Sequence, residues 1–133
     1  AAAETAARRG TEVAPNFAGG FMALGQVLDF TGRHEAAIEA LEHGLRLDPG
    51  FDLFLHLIGR AQLGLGRYAE AEASFKRRLI RNPRSDMTRA YLASLYGSTD
   101  RADEARRLWA DSLAAIGPPE RGTDARYPRG ARA

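Results

Sequence analysis

At 133 residues the chain is long enough for one modest domain with its own core and too short for two. Apolar residues make up 44% and charged residues 27%, which excludes wholesale disorder; the absence of cysteine excludes a disulfide framework and a cysteine-based zinc site. The net charge is only +2, and every cation but Lys76 is arginine, a bias that reads as compositional rather than as a binding signal. No apolar run approaches the ~18 residues needed to span a bilayer. The opening AAAETAARRG lacks the apolar stretch of a secretory signal, and a cytoplasmic location is the expectation.

In chain order, residues 1–15 read as one helix that ends at Pro15. Residues 18–50 read as two amphipathic helices joined by a turn. Phe21, Leu24, Gly25 and Leu28 mark the apolar face of the first, and Ala37, Leu41, Gly44 and Leu45 that of the second. Residues 52–84 repeat this through Leu55, Ile58, Gly59, Ala71 and Phe75, and residues 86–119 repeat it again through Leu92, Tyr96, Ala105 and Trp109. Pro49 and Pro83 end the second helix of their pairs, because proline lacks the N–H and forces its predecessor out of the helical region. Asp52 and Asp86 fall where a helix start wants a side-chain acceptor. Beyond Ile116, GPPERGTDARYPRGARA has no apolar periodicity, so residues 120–133 are expected to be a flexible tail.

These segments share one period. Pro15, Pro49 and Pro83 lie 34 residues apart, and in the same frame Gly25 falls on Gly59 and Gly32 on Gly66. Ala3, Ala37, Ala71 and Ala105 form one column; Ala7, Leu41, Phe75 and Trp109 form another; Leu24, Ile58 and Leu92 form a third. The register explains glycines that would otherwise weaken helices by about 1 kcal/mol each. Gly32 and Gly66 fit the turn within each pair, where a left-handed backbone is needed, and Gly25 and Gly59 fit a close approach to the partner helix. Gly64 gets no role from the pattern.

The register resembles the tetratricopeptide repeat, a 34-residue helical hairpin, over roughly residues 1–119. Residues 1–15 then match the second helix of a repeat whose first helix is absent, as expected of a piece of a longer chain. The third copy departs from the family at Ala93 and Asp100, where glycine is usual. The resemblance implies an all-α, right-handed α-solenoid of stacked antiparallel hairpins with a shallow concave groove lined by the first helix of each pair. Helical geometry would then place Met22, Gln26, Asp29 and Phe30, then Leu53, His56, Leu57 and Arg60, then Met87, Ala90, Tyr91 and Ser94 on that surface. Leu53 and Leu57 equally suit packing against neighbouring helices. The implied function is a non-catalytic scaffold holding a protein or peptide segment. A narrower likeness, through RNPRSD, YLASLYG and EARRLW, is to the repeat region that follows bacterial class III adenylate or guanylate cyclase-type catalytic domains. That would make the chain an oligomerisation or regulatory module of a larger signalling enzyme.

No other constellation points to chemistry. His34, His43 and His56 lack chelating spacing, so no metal and no cofactor is expected. Asp103, Glu104, Asp111 and Glu120 are spread along helix and tail rather than paired, and Ser74 and Ser112 have no base in sequence context, so the chain reads as no enzyme. The run KRRLIRNPR, Lys76 to Arg84, fits the solvated face of a second helix balanced by Glu70 and Glu72 better than a nucleic-acid or membrane surface. The expected partners are a protein or peptide ligand, or a second copy in a homodimer through uncapped ends near Leu108 and Leu113.

Overall fold

The protein is described by a computed structural model, here over residues 2–116. Proline and glycine punctuation cuts these residues into seven helices: α1 (Ala2–Val13), α2 (Ala18–Phe30), α3 (His34–Leu47), α4 (Leu53–Gly64), α5 (Tyr68–Arg81), α6 (Asp86–Ser98) and α7 (Ala102–Ile116). There is no strand among the described residues. Each helix packs on its successor and α2 also packs on α4, which builds an all-helical repeat solenoid. The end of the third repeat at Pro119 and the tail expected over 120–133 lie outside the described residues.

The turn within each hairpin is closed three times by the same two backbone bonds. Arg33, Arg67 and Arg101 donate their backbone N–H to the carbonyls of Leu28, Gln62 and Tyr96, and accept from the N–H of Ala37, Ala71 and Ala105. The residue before each arginine is left-handed: Gly32 at φ 85°, Gly66 at φ 73° and Asp100 at φ 58°. The third copy therefore keeps the turn without glycine.

The helix-facing glycines make room for large side chains. A Cβ at Gly25 would stand 2.5 Å from Leu41, and one at Gly59 would stand 2.5 Å from the Phe75 ring. Gly44 does the same across the repeat boundary for Phe54, and Gly64 lies under the imidazole of His34. Two clusters result. One joins α2, α3 and α4 through Leu28, Leu41, Phe54 and Ile58; the other joins α5, α6 and α7 through Phe75, Leu92, Leu95 and Leu108.

Ion pairs repeat with the same period. Glu4 is held by Arg8 on its own helix and by Arg33 of the next hairpin; Glu72 is held in the same way by Lys76 and Arg101. The Arg101 guanidinium, ahead of the Lys76 ammonium, holds the Glu72 carboxyl down at about 2. Ile38 occupies the middle copy of this column, and Arg67 turns to Glu35 instead.

Three expectations about polar residues are corrected. Ser85, not Asp86, caps α6, its hydroxyl accepting from the Thr88 N–H at 3.3 Å, while Asp86 pairs with Arg89 at 2.9 Å. Asp52 precedes α4 without capping it and instead faces Arg78 at 3.3 Å. Within KRRLIRNPR, Arg77, Arg81 and Arg84 are exposed, but Arg78 is buried, so the run is not wholly a solvated face.

Candidate interaction groove

The three first helices, α2, α4 and α6, carry the expected surface residues, and the turns fix how they meet. A hollow of about 190 Å³ opens between α2 and α4, lined by Gly25, Gln26, Asp29, Phe30, Leu41, Leu57 and Arg60. Gly25 and the buried side chains of Leu41 and Leu57 form its apolar floor. Phe30 stands beside it almost bare, at 90% exposure.

The rim is charged and asymmetric. Asp29 Oδ1 lies 2.7 Å from His34 Nδ1, which anchors the carboxylate to the hairpin turn. Its other oxygen faces the Arg60 guanidinium at 3.9 Å, beyond hydrogen-bond reach. Arg60 also lies 5.7 Å from the centroid of the Tyr91 ring on α6. Its side chain makes no hydrogen bond to any described residue, although it can donate five.

Of the residues assigned to the groove from sequence, Gln26, Phe30, Met87, Ala90 and Ser94 are exposed. Met22, Asp29, Leu53, Arg60 and Tyr91 are half-buried, Met22 and Leu53 against the core of α2, α3 and α4. Leu57 is 4% exposed and packs in that core, touching the hollow only from beneath, so of its two readings the packing one holds. His56 is fully buried and is corrected to an interior position. Leu41 and His34 were not legible as groove residues: one lies on a second helix and the other in a turn, and only the packing brings them here.

His56 instead links α4 to α6. Ser85 Oγ donates to Thr88 Oγ1 at 2.9 Å, and Thr88 Oγ1 and His56 Nδ1 share a hydrogen bond at 3.0 Å. The other ring nitrogen, Nε2, has no partner among the described residues. The ring lies edge-on to Tyr91 and 5.6 Å from the Phe75 ring. Burial, reinforced by the charges of Arg60 and Arg78, pulls its pKa down to about 4.

A larger hollow of about 290 Å³ lies between α1 and α3, floored by Phe21, Leu24 and Leu28. His43 stacks on Phe21 there with centroids 4.2 Å apart, and Arg8 at its rim is already bound to Glu4. Ser74 donates to Gln62 at 2.7 Å, and Asp103 and Glu104 pair with Arg106 and Arg101. Glu120 lies outside the described residues. No group of three or more possible metal ligands is found among those described, and no helix there is long and apolar enough to cross a membrane.

The family model described as tetratricopeptide repeat matches residues 31–89, which span the turn of the first hairpin through the start of α6. Over that stretch the chain matches the tetratricopeptide repeat. Among solved structures, TTC0263, a thermophilic TPR protein in Thermus thermophilus, superposes with a TM-score of 0.75 at 26% identity, covering 84% of this chain and 62% of that one. A crystal structure of MamA superposes with a TM-score of 0.72 at 20% identity over 84% of this chain and 65% of that one, a likeness of fold. The chain thus spans somewhat under two thirds of each neighbour. No curated protein matches it.

Proposed function

We propose that this chain is a non-catalytic scaffold that holds an extended peptide or a single helix from another protein against α2, α4 and α6. Stacked helical repeats serve as scaffolds for protein–protein contact, because their first helices offer a continuous surface rather than a reaction centre. The observation that carries the reading is Phe30. An aromatic ring 90% exposed, beside an apolar floor and a guanidinium without hydrogen-bond partners, has the composition of an anchor point awaiting a ligand. The hollow between α1 and α3 is a weaker candidate, since its rim arginine is occupied by Glu4 and its ring by His43.

Panning a random peptide library with the whole chain tests this. Enrichment should disappear in Phe30→Asp and persist in Ile80→Asp, a change on the exposed outer side of α5. The reverse pattern would move the binding surface off the groove.

A second reading is favoured by α7, where Leu113 is 70% and Trp109 38% exposed. An apolar face of that kind suits a second copy of the chain. Light scattering at rising concentration should then give a growing mass that Leu113→Asp abolishes. A constant monomer mass in the wild-type chain removes this reading.

A further inference from the structure

The hollow between α2 and α4 is small. At about 190 Å³ it falls below the roughly 300 Å³ at which small-molecule sites begin, so it takes one side chain rather than a whole ligand. Leu41, Leu57 and Gly25 offer that side chain only apolar surface, which suits a leucine, isoleucine or methionine.

The rim then decides what accompanies it. Asp29 is the poorer partner for an incoming charge. Its side chain is 12% exposed, one oxygen is taken by His34 and the other faces Arg60. Arg60 is 35% exposed, with all its donors free of hydrogen bonds to described residues and its far side resting on the Tyr91 ring. A guanidinium in that state wants acceptors, and a carboxylate satisfies it best because two parallel N–H···O bonds match its fork. In an extended peptide, residues two apart point to the same side. The floor and Arg60 line one hollow, so one ligand can reach both.

From this geometry we infer that the groove selects a protein segment carrying a leucine-sized apolar side chain two residues from an aspartate or glutamate. The apolar chain fills the floor between α2 and α4, and the carboxylate takes the fork of Arg60. Phe30 lies along the flank of the same segment. The inference rests on the groove reading above and adds the chemistry of the partner.

Acetylated, amidated octapeptides from a random library, panned with the whole chain and sequenced, provide the test. Enriched peptides should share the apolar-x-acid pair. Changing that acid to its amide in the peptide should weaken binding about tenfold to a hundredfold. Arg60→Gln should level the preference for acid, and Arg60→Glu should turn it towards lysine and arginine. The peptide-side change needs no variant to fold, so the result does not depend on how either Arg60 substitution behaves. Enrichment that Phe30→Asp abolishes but that shows no acid preference, or one indifferent to both Arg60 variants, overturns the inference and leaves the groove standing. Enrichment that Phe30→Asp does not affect, or no enrichment at all, overturns both.

Discussion

Asp100 holds a left-handed backbone, φ 58°, at the position where the other two hairpins use glycine. Aspartate tolerates this conformation better than most side chains, yet its Cβ still meets the crowding that glycine escapes. The arginine backbone bonds that close this turn match those of the other two, and the Asp100 carboxylate makes no hydrogen bond to a described residue. Asp100→Gly should therefore stabilise the chain by about 0.5 kcal/mol, after the extra freedom glycine gains when unfolded is offset. A urea midpoint unchanged or lowered by this substitution would show that the carboxylate contributes something the backbone pattern does not reveal. Leu57 makes the opposite case. It is 4% exposed and packs among α2, α3 and α4, so Leu57→Glu places a charge in the core and should cost about 3 kcal/mol or more. Phe30→Glu, at a site 90% exposed, should shift stability by no more than about 0.5 kcal/mol. A thermal melt of the two variants side by side checks the contrast.

At the level of helices, α4 sits in the middle of the stack and is covered from several sides. Phe54, Leu55, His56, Leu57, Ile58, Gly59 and Ala61 are all buried. A helix that is apolar all round has no periodic face to read, which is why sequence pattern could not separate the lining positions of α4 from its core. The hairpins themselves were legible, because proline, glycine and small-residue columns recur at a fixed period and each answers to local backbone geometry. Gly64 stayed opaque since its partner, His34, comes from the preceding hairpin; Arg78 looked like surface because the carboxylate of Asp52 that receives it is distant in sequence. His56 has a thermodynamic consequence of the same kind. Its pKa falls from 6.5 when unfolded to about 4 when folded, so below pH 6.5 the unfolded chain binds a proton that the folded chain refuses. Stability is then complete above pH 6.5 and lost as pH falls towards 4. Between pH 7.5 and 5 the loss should be about 2 kcal/mol in urea titrations, and His56→Leu should flatten that part of the profile. An equal slope in the variant would assign the pH dependence to other groups.

For the molecule as a whole, the two hydrophobic clusters divide the solenoid unequally. Helices α2, α3 and α4 share one; α5, α6 and α7 share the other, with Leu63 of α4 against it, and α7 packs mainly on α6. Across the divide, α6 meets α4 through the Thr88–His56 hydrogen bond, the Tyr91 ring against His56, and Arg60 over Tyr91. In a stack whose repeats touch only their neighbours, stability is a sum of local and interface contributions, so weakening one interface loosens what lies beyond it rather than the entire chain. Protonation pressure on His56 acts on that interface. Lowering the pH from 7.5 to 5 should therefore speed hydrogen exchange in residues 86–116 by about thirtyfold, after correction for intrinsic rates, while residues 18–47 change little. The His56→Leu chain should show no such difference between its two ends. Were exchange to accelerate equally along all seven helices, the repeats would be opening as one cooperative unit, and the α4–α6 contact would not be the seam along which this solenoid parts.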